Sequence, residues 1–152
     1  MKSLRSTVLF AGLLASTSAL GESSDWKIDT NGDEVVAYTT DMAGNMFGLK
    51  CGAADSVCYW AIRPLNGCGD EADITVTVVT DGYPTPVQAR CIPSSDGGDP
   101  FVVFLDMEQL SSVVQSSKSL SFSAPTRFAT GPIDVTGAGP AVLATANKLK
   151  QK

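Results

Sequence analysis

Four cysteines and no histidine constrain this chain more than any other feature. Three of the four fall in one stretch, CGAADSVCYWAIRPLNGCGD, residues 51 to 70, and the full spacing is Cys51-x6-Cys58-x9-Cys68-x22-Cys91. Structural zinc sites bring their ligands as close C-x2-4-C pairs, often with histidine, and neither is present. A catalytic cysteine normally needs a base at its side, usually histidine, and histidine is absent. An even cysteine count in an exported chain reads as two disulfides. Four cysteines allow three connectivities. Cys51 and Cys58 would face each other if MFGLKC and VCYWAI are two strands joined by GAADS, and Cys68 and Cys91 would flank a second hairpin. Cys51–Cys58 with Cys68–Cys91 is therefore the preferred pairing, and no metal or other cofactor is expected.

Export is read from the first 21 residues. Lys2 and Arg5 make a basic start, Val8 to Ala15 an apolar run, and Ala19 and Gly21 a small-residue cleavage site before Glu22. The run is too short to span a bilayer, which takes about 20 apolar residues. The expected organisation is a signal peptide, 1–21, followed by a single β-rich domain, 22–152, in the periplasm or secreted, with no membrane insertion after cleavage. Removing 21 of the 152 residues takes away two of the 11 basic residues and none of the 16 acidic ones. The resulting net charge near −7 argues against nucleic acid as a partner. It suits a cationic partner, although solubility is the commoner meaning of such a charge.

The remaining chain is read as strands first and helices late. Trp26 and Ile28 alternate with polar neighbours before Asn31-Gly32, a two-residue hairpin signal, and EVVAYT returns. ITVTVVT and TPVQAR flank Asp81-Gly82-Tyr83-Pro84, and ITVTVVT alternates as a half-solvated strand should. FVVFL is expected to be buried on both faces. Asp106 can cap a helix carrying Met107, Leu110, Val113 and Val114 at helical spacing, and a last helix is expected from about Pro140 to Leu149. These features predict a mainly β fold, an antiparallel β-sandwich or barrel-like domain with one or two short helices, stapled by disulfides.

Several segments carry residue types that could do chemistry. Asp29 to Glu34 alternates hard-cation ligands, but its glycine falls fourth and Met42 stands where a calcium loop needs its bidentate acid. Asp70, Glu71, Asp73, Asp96 and Asp99 would approach one another if Cys68 and Cys91 are bonded, which opens a carboxylate-dependent hydrolase as one reading. No G-x-S-x-G turn or phosphate-binding glycine loop is present. Tyr59, Trp60 and Arg63 form the candidate binding surface. Neighbours on a strand point to opposite faces, and Tyr, Trp and Arg dominate interface hot spots, although the core is the commoner place for such a tryptophan.

Three stretches resemble the invasion-associated locus B family of exported bacterial proteins. They are DWKI with Trp26, LKCGAADSVCYWA at 49 to 61, and the closing DVTGAGPAVLATANKL at 134 to 149. The pair Cys68 and Cys91 and the hairpin DGYPTPVQARC depart from that pattern. The resemblance implies a small periplasmic or secreted β-sandwich with no known catalytic site and a host-interaction role, and no functional residues carry over. The sequence thus favours a non-enzymatic exported module that binds a protein or cell-envelope component. The alternatives are an acidic inhibitor of a cationic secreted hydrolase such as lysozyme and the carboxylate-dependent hydrolase.

Overall fold

A computed structural model describes residues 25–54, 56–94 and 98–151. The expected signal peptide, 1–21, and Asp96 lie outside the described residues. The chain forms β1 (Lys27–Asn31), β2 (Glu34–Thr40), β3 (Met46–Gly52), β4 (Cys58–Arg63), β5 (Ala72–Thr80), β6 (Tyr83–Ile92) and β7 (Phe101–Phe104). Helix α1 (Met107–Ser116) follows, then β8 (Ser119–Ala124), β9 (Phe128–Ala129), β10 (Ile133–Asp134) and α2 (Ala138–Lys150). All strand pairs are antiparallel, in the order β1-β2-β3-β4-β7-β6-β5-β8-β10, with β9 also on β8. The fold is mainly β with two helices, and its single sheet is not closed by strand pairing among the described residues.

The period of two decides which side is core. Val35, Ala37, Phe47, Leu49, Trp60, Ile62, Val76, Val78, Val87, Val102, Phe104, Leu120 and Phe122 all turn to the inner face and are buried. Phe47 is the hub of that face. It stacks on Trp60 at 5.2 Å between ring centroids and meets Phe122 at 4.9 Å and Phe104 at 6.4 Å. Helix α1 adds Leu110 and Val114 to this core, and its Ser111 hydroxyl accepts from Trp60 Nε1 at 2.8 Å. Helix α2 packs against β1, β2 and β3 and brings Ala138 into the same core.

The ends of the sheet approach each other through Asp41, the residue after β2. One carboxylate oxygen accepts from the backbone N–H groups of Ala43, Gly44 and Asn45, and the other from Asn45 Nδ2 and from Gly131 N, between β9 and β10. β10 thereby lies beside β2. Burial pushes the Asp41 carboxyl upward, but these hydrogen bonds to its charged form outweigh it and hold the group below the ordinary carboxylate range.

Both disulfides form, Cys51–Cys58 and Cys68–Cys91. Cys51 stands directly opposite Cys58 in the β3–β4 register, and Cys68 is tied to Cys91, the partner of Ala72 at the base of the β5–β6 hairpin. Asp81 and Gly82, at φ 49° and 83°, make the type I′ turn of that hairpin. Asp106 caps α1 by accepting from Gln109 N.

Two local expectations are corrected. The β1–β2 turn is Gly32-Asp33, because Asn31 already pairs with Glu34 and Gly32 takes the positive φ of 55° that the first position of a type II′ turn requires. Strand β7 is buried on its inner face only. Val102 and Phe104 point inward, Phe101 and Val103 are half-buried on the outer face, and Leu105 beyond the strand is exposed, since both helices pack on the inner side.

Candidate functional site

The outer face of β2, β3, β4 and β7 carries a depression built by small residues. Register sets Tyr38, Gly48, Ala61 and Val103 side by side across four strands. Glycine and alanine in the middle of that row leave the floor low. Gly48 has a second reason to be glycine: a Cβ there would collide with the Ala37 carbonyl oxygen and stand 2.8 Å from Tyr38 Cβ. The closeness of β2 and β3 excludes any larger residue, and the resulting groove of about 290 Å³ is lined by Val36, Tyr38, Met46, Gly48, Lys50, Ala61, Arg63, Asp99 and Phe101. Ligand pockets commonly hold about 300–1,000 Å³, so this one has room for one or two side chains.

Unlike chemistry closes the two ends. Lys50 lies in the row beyond Gly48, and Arg63, opposite Met46, lies in the row on the other side. Four residues of strand separate the two rows, roughly 13 Å. Lys50 Nζ pairs with Glu34 at 2.9 Å and lies 5.8 Å from the centre of the Phe101 ring. Burial pulls the Lys50 ammonium down, but Glu34 and Tyr59 beside it outweigh that effect and hold its proton more tightly than usual. Arg63 pairs with Asp99 at 2.5 Å, with both side chains well exposed. On the groove's rim Tyr38 donates its hydroxyl to Asp29, and this hydrogen bond raises the phenol's pKa.

The structure separates the three surface candidates. Trp60 turns inward and is only 2 % exposed, because its period-two partners Cys58 and Ile62 share the core face. Tyr59 stays half-buried on the outer face, opposite Lys50, and Arg63 forms the open end of the groove. Among the acids, Asp73 is held by Arg90 at 2.7 Å and Asp99 by Arg63, so each is engaged by its own cation. Arg127 bonds the carbonyl oxygens of Cys68 and Asp70 and pins the chain before β5. The Asp29–Glu34 segment is spent on the β1–β2 hairpin, and no cluster of three metal-ligating side chains exists among the described residues.

No family model matches the chain, and no curated protein matches it. A comparison of folds does give a match, the crystal structure of invasion associated protein B from Bartonella henselae, at a TM-score of 0.54. This chain resembles invasion associated protein B in fold. The match covers 84 % of this chain and 95 % of invasion associated protein B, at 12 % sequence identity. At that identity the likeness to invasion associated protein B speaks to the fold alone. The stretches that carried the resemblance in the sequence stand here at the entry to β1, in the stapled β3–β4 hairpin and in α2.

Proposed function

We propose that the protein is an exported, non-enzymatic binding module that holds a protein or cell-envelope partner in the groove on the outer face of β2, β3, β4 and β7. The observation that carries this reading is the low Gly48–Ala61 floor between apolar walls and two charged ends. Two further facts support it. All four cysteines are committed to disulfides, which suits an oxidising compartment, and the chain has no histidine to serve as a general base.

A photo-crosslinking residue placed at Met46 in the exported protein tests this. A discrete adduct is expected, and it should vanish when Ala61→Leu fills the floor of the same chain. An adduct indifferent to Ala61→Leu, or one formed equally from a control position at Thr75 on β5, contradicts the reading.

A second reading, inhibition of a cationic secreted hydrolase such as lysozyme, rests on the β5–β6 hairpin. Its tip presents Tyr83, 76 % exposed, two residues from Asp81 on the type I′ turn. Lysozyme inhibition that weakens with salt and with Asp81→Asn would support it. Asparagine suits a type I′ turn, so this change alters charge without altering the fold.

A further inference from the structure

We infer that the groove captures the free C-terminus of a partner polypeptide ending in an aliphatic or aromatic residue. The terminal side chain lies over Gly48 and Ala61, and the terminal carboxylate sits on Arg63. This rests on the groove being the binding site, and it names what the groove takes.

The two cations differ in what they have left to offer. Lys50 is the less exposed, and its ammonium is committed to Glu34 while it lies over Phe101. Arg63 is open: one Nη1 contact to Asp99 engages it, and a guanidinium carries five N–H donors in a fork that fits a carboxylate at two points. Its present partner is easily exchanged. The Asp99 side chain is 68 % exposed, and ion pairs between exposed groups contribute little. An incoming carboxylate can take the place of Asp99 on Arg63 while the exposed Asp99 turns to solvent, and the incoming chain also buries an apolar side chain.

The far end of the groove selects peptide over fatty acid. An acyl chain anchored at Arg63 would drive its tail toward the Glu34–Lys50–Tyr59 cluster roughly 13 Å away. A peptide of three or four extended residues spans that distance and brings amide groups there instead.

The test is calorimetric titration of the oxidised protein with N-acetyl-Gly-Gly-Phe as free acid and as C-terminal amide. Octanoate serves as the acyl control. The free acid is expected to bind about tenfold or more tightly than the amide. Arg63→Gln should erase that preference. Asp99→Asn should tighten the acid severalfold by removing the competing carboxylate. Opposite signs for the two members of one ion pair are what a merely structural bridge does not give. Ala61→Leu should abolish binding of both peptides. If acid and amide bind alike, or Asp99→Asn weakens binding or leaves it unchanged, the C-terminus inference falls, and the groove stands as long as Ala61→Leu still abolishes binding. If Ala61→Leu leaves binding intact, the groove falls with it. Tighter binding of octanoate than of the peptide acid, or no binding of the acid at millimolar concentration, also overturns the inference.

Discussion

Gly48 couples the stability of the sheet to the shape of the groove. Its missing Cβ lets β2 and β3 approach and also lowers the groove floor, so Gly48→Ala forces the two strands apart. The expected loss is about 1–3 kcal/mol, read as a lower urea midpoint with an unchanged slope. Asp41 plays the corresponding part at the sheet's ends. Its carboxyl is held below its unfolded value, about 4, so its contribution is complete above that value and disappears as pH falls through the lower, folded one. Asp41→Asn cannot accept from both Asn45 Nδ2 and Gly131 N through an amide nitrogen, and a loss of roughly 2 kcal/mol at neutral pH is expected. Urea unfolding across pH 7 to 2 should show the variant losing less stability on acidification than the parent. Both residues left a trace in the sequence. A glycine inside the strand MFGLKC signals a close backbone approach, and Asp41 ahead of Ala43-Gly44-Asn45 signals an Asx turn. The sequence holds no sign that Asp41 also reaches Gly131, because that contact spans 90 residues.

Each hairpin shows what local sequence determines at the level of elements. Asp81-Gly82 names its own turn type, and Asp106 names the start of α1, because each signal is a short-range hydrogen-bond or φ requirement. Asn31-Gly32 misplaced its turn by one residue. Two turn types compete for that glycine, and the register that buries Val35 and Ala37 decides between them. Beyond Gln88, toward the tip, β6 has no strand partner on its far side among the described residues, and Pro84 and Pro86 remove the N–H groups that would face outward there. The disulfides should differ in weight. Loop closure over separations of 23 and 7 residues gives roughly 3.4 kcal/mol for Cys68–Cys91 and 2.4 kcal/mol for Cys51–Cys58. Urea curves of the two double-serine variants test that order, and a larger loss from Cys51→Ser with Cys58→Ser would reverse it. The connectivity was legible because each pair brackets a hairpin, and hairpins are read from local sequence.

At the scale of the whole molecule, both helices and the aromatic core lie on one side of the sheet, which leaves the outer face of β2, β3, β4 and β7 open. Alternation along each strand made the mainly β, antiparallel fold legible, and the likeness to invasion associated protein B agrees with it. The candidate site was legible only in part. Arg63 and Tyr59 were readable as outer-face residues on the strand that carries Trp60. Gly48, Lys50 and Phe101 join them only through the β3–β4–β7 order, in which β7 inserts beside β4 after a crossover that no local signal encodes. The peptide is expected to bind on this face. Methyl-selective NMR of the protein titrated with N-acetyl-Gly-Gly-Phe is the measurement that decides it. Met46, Ala61 and Val36 signals should shift together while Val57, Leu105 and Leu143, exposed elsewhere, stay still. Shifts confined to Leu105, Leu143 or Val57, with Met46 and Ala61 unmoved, would contradict it.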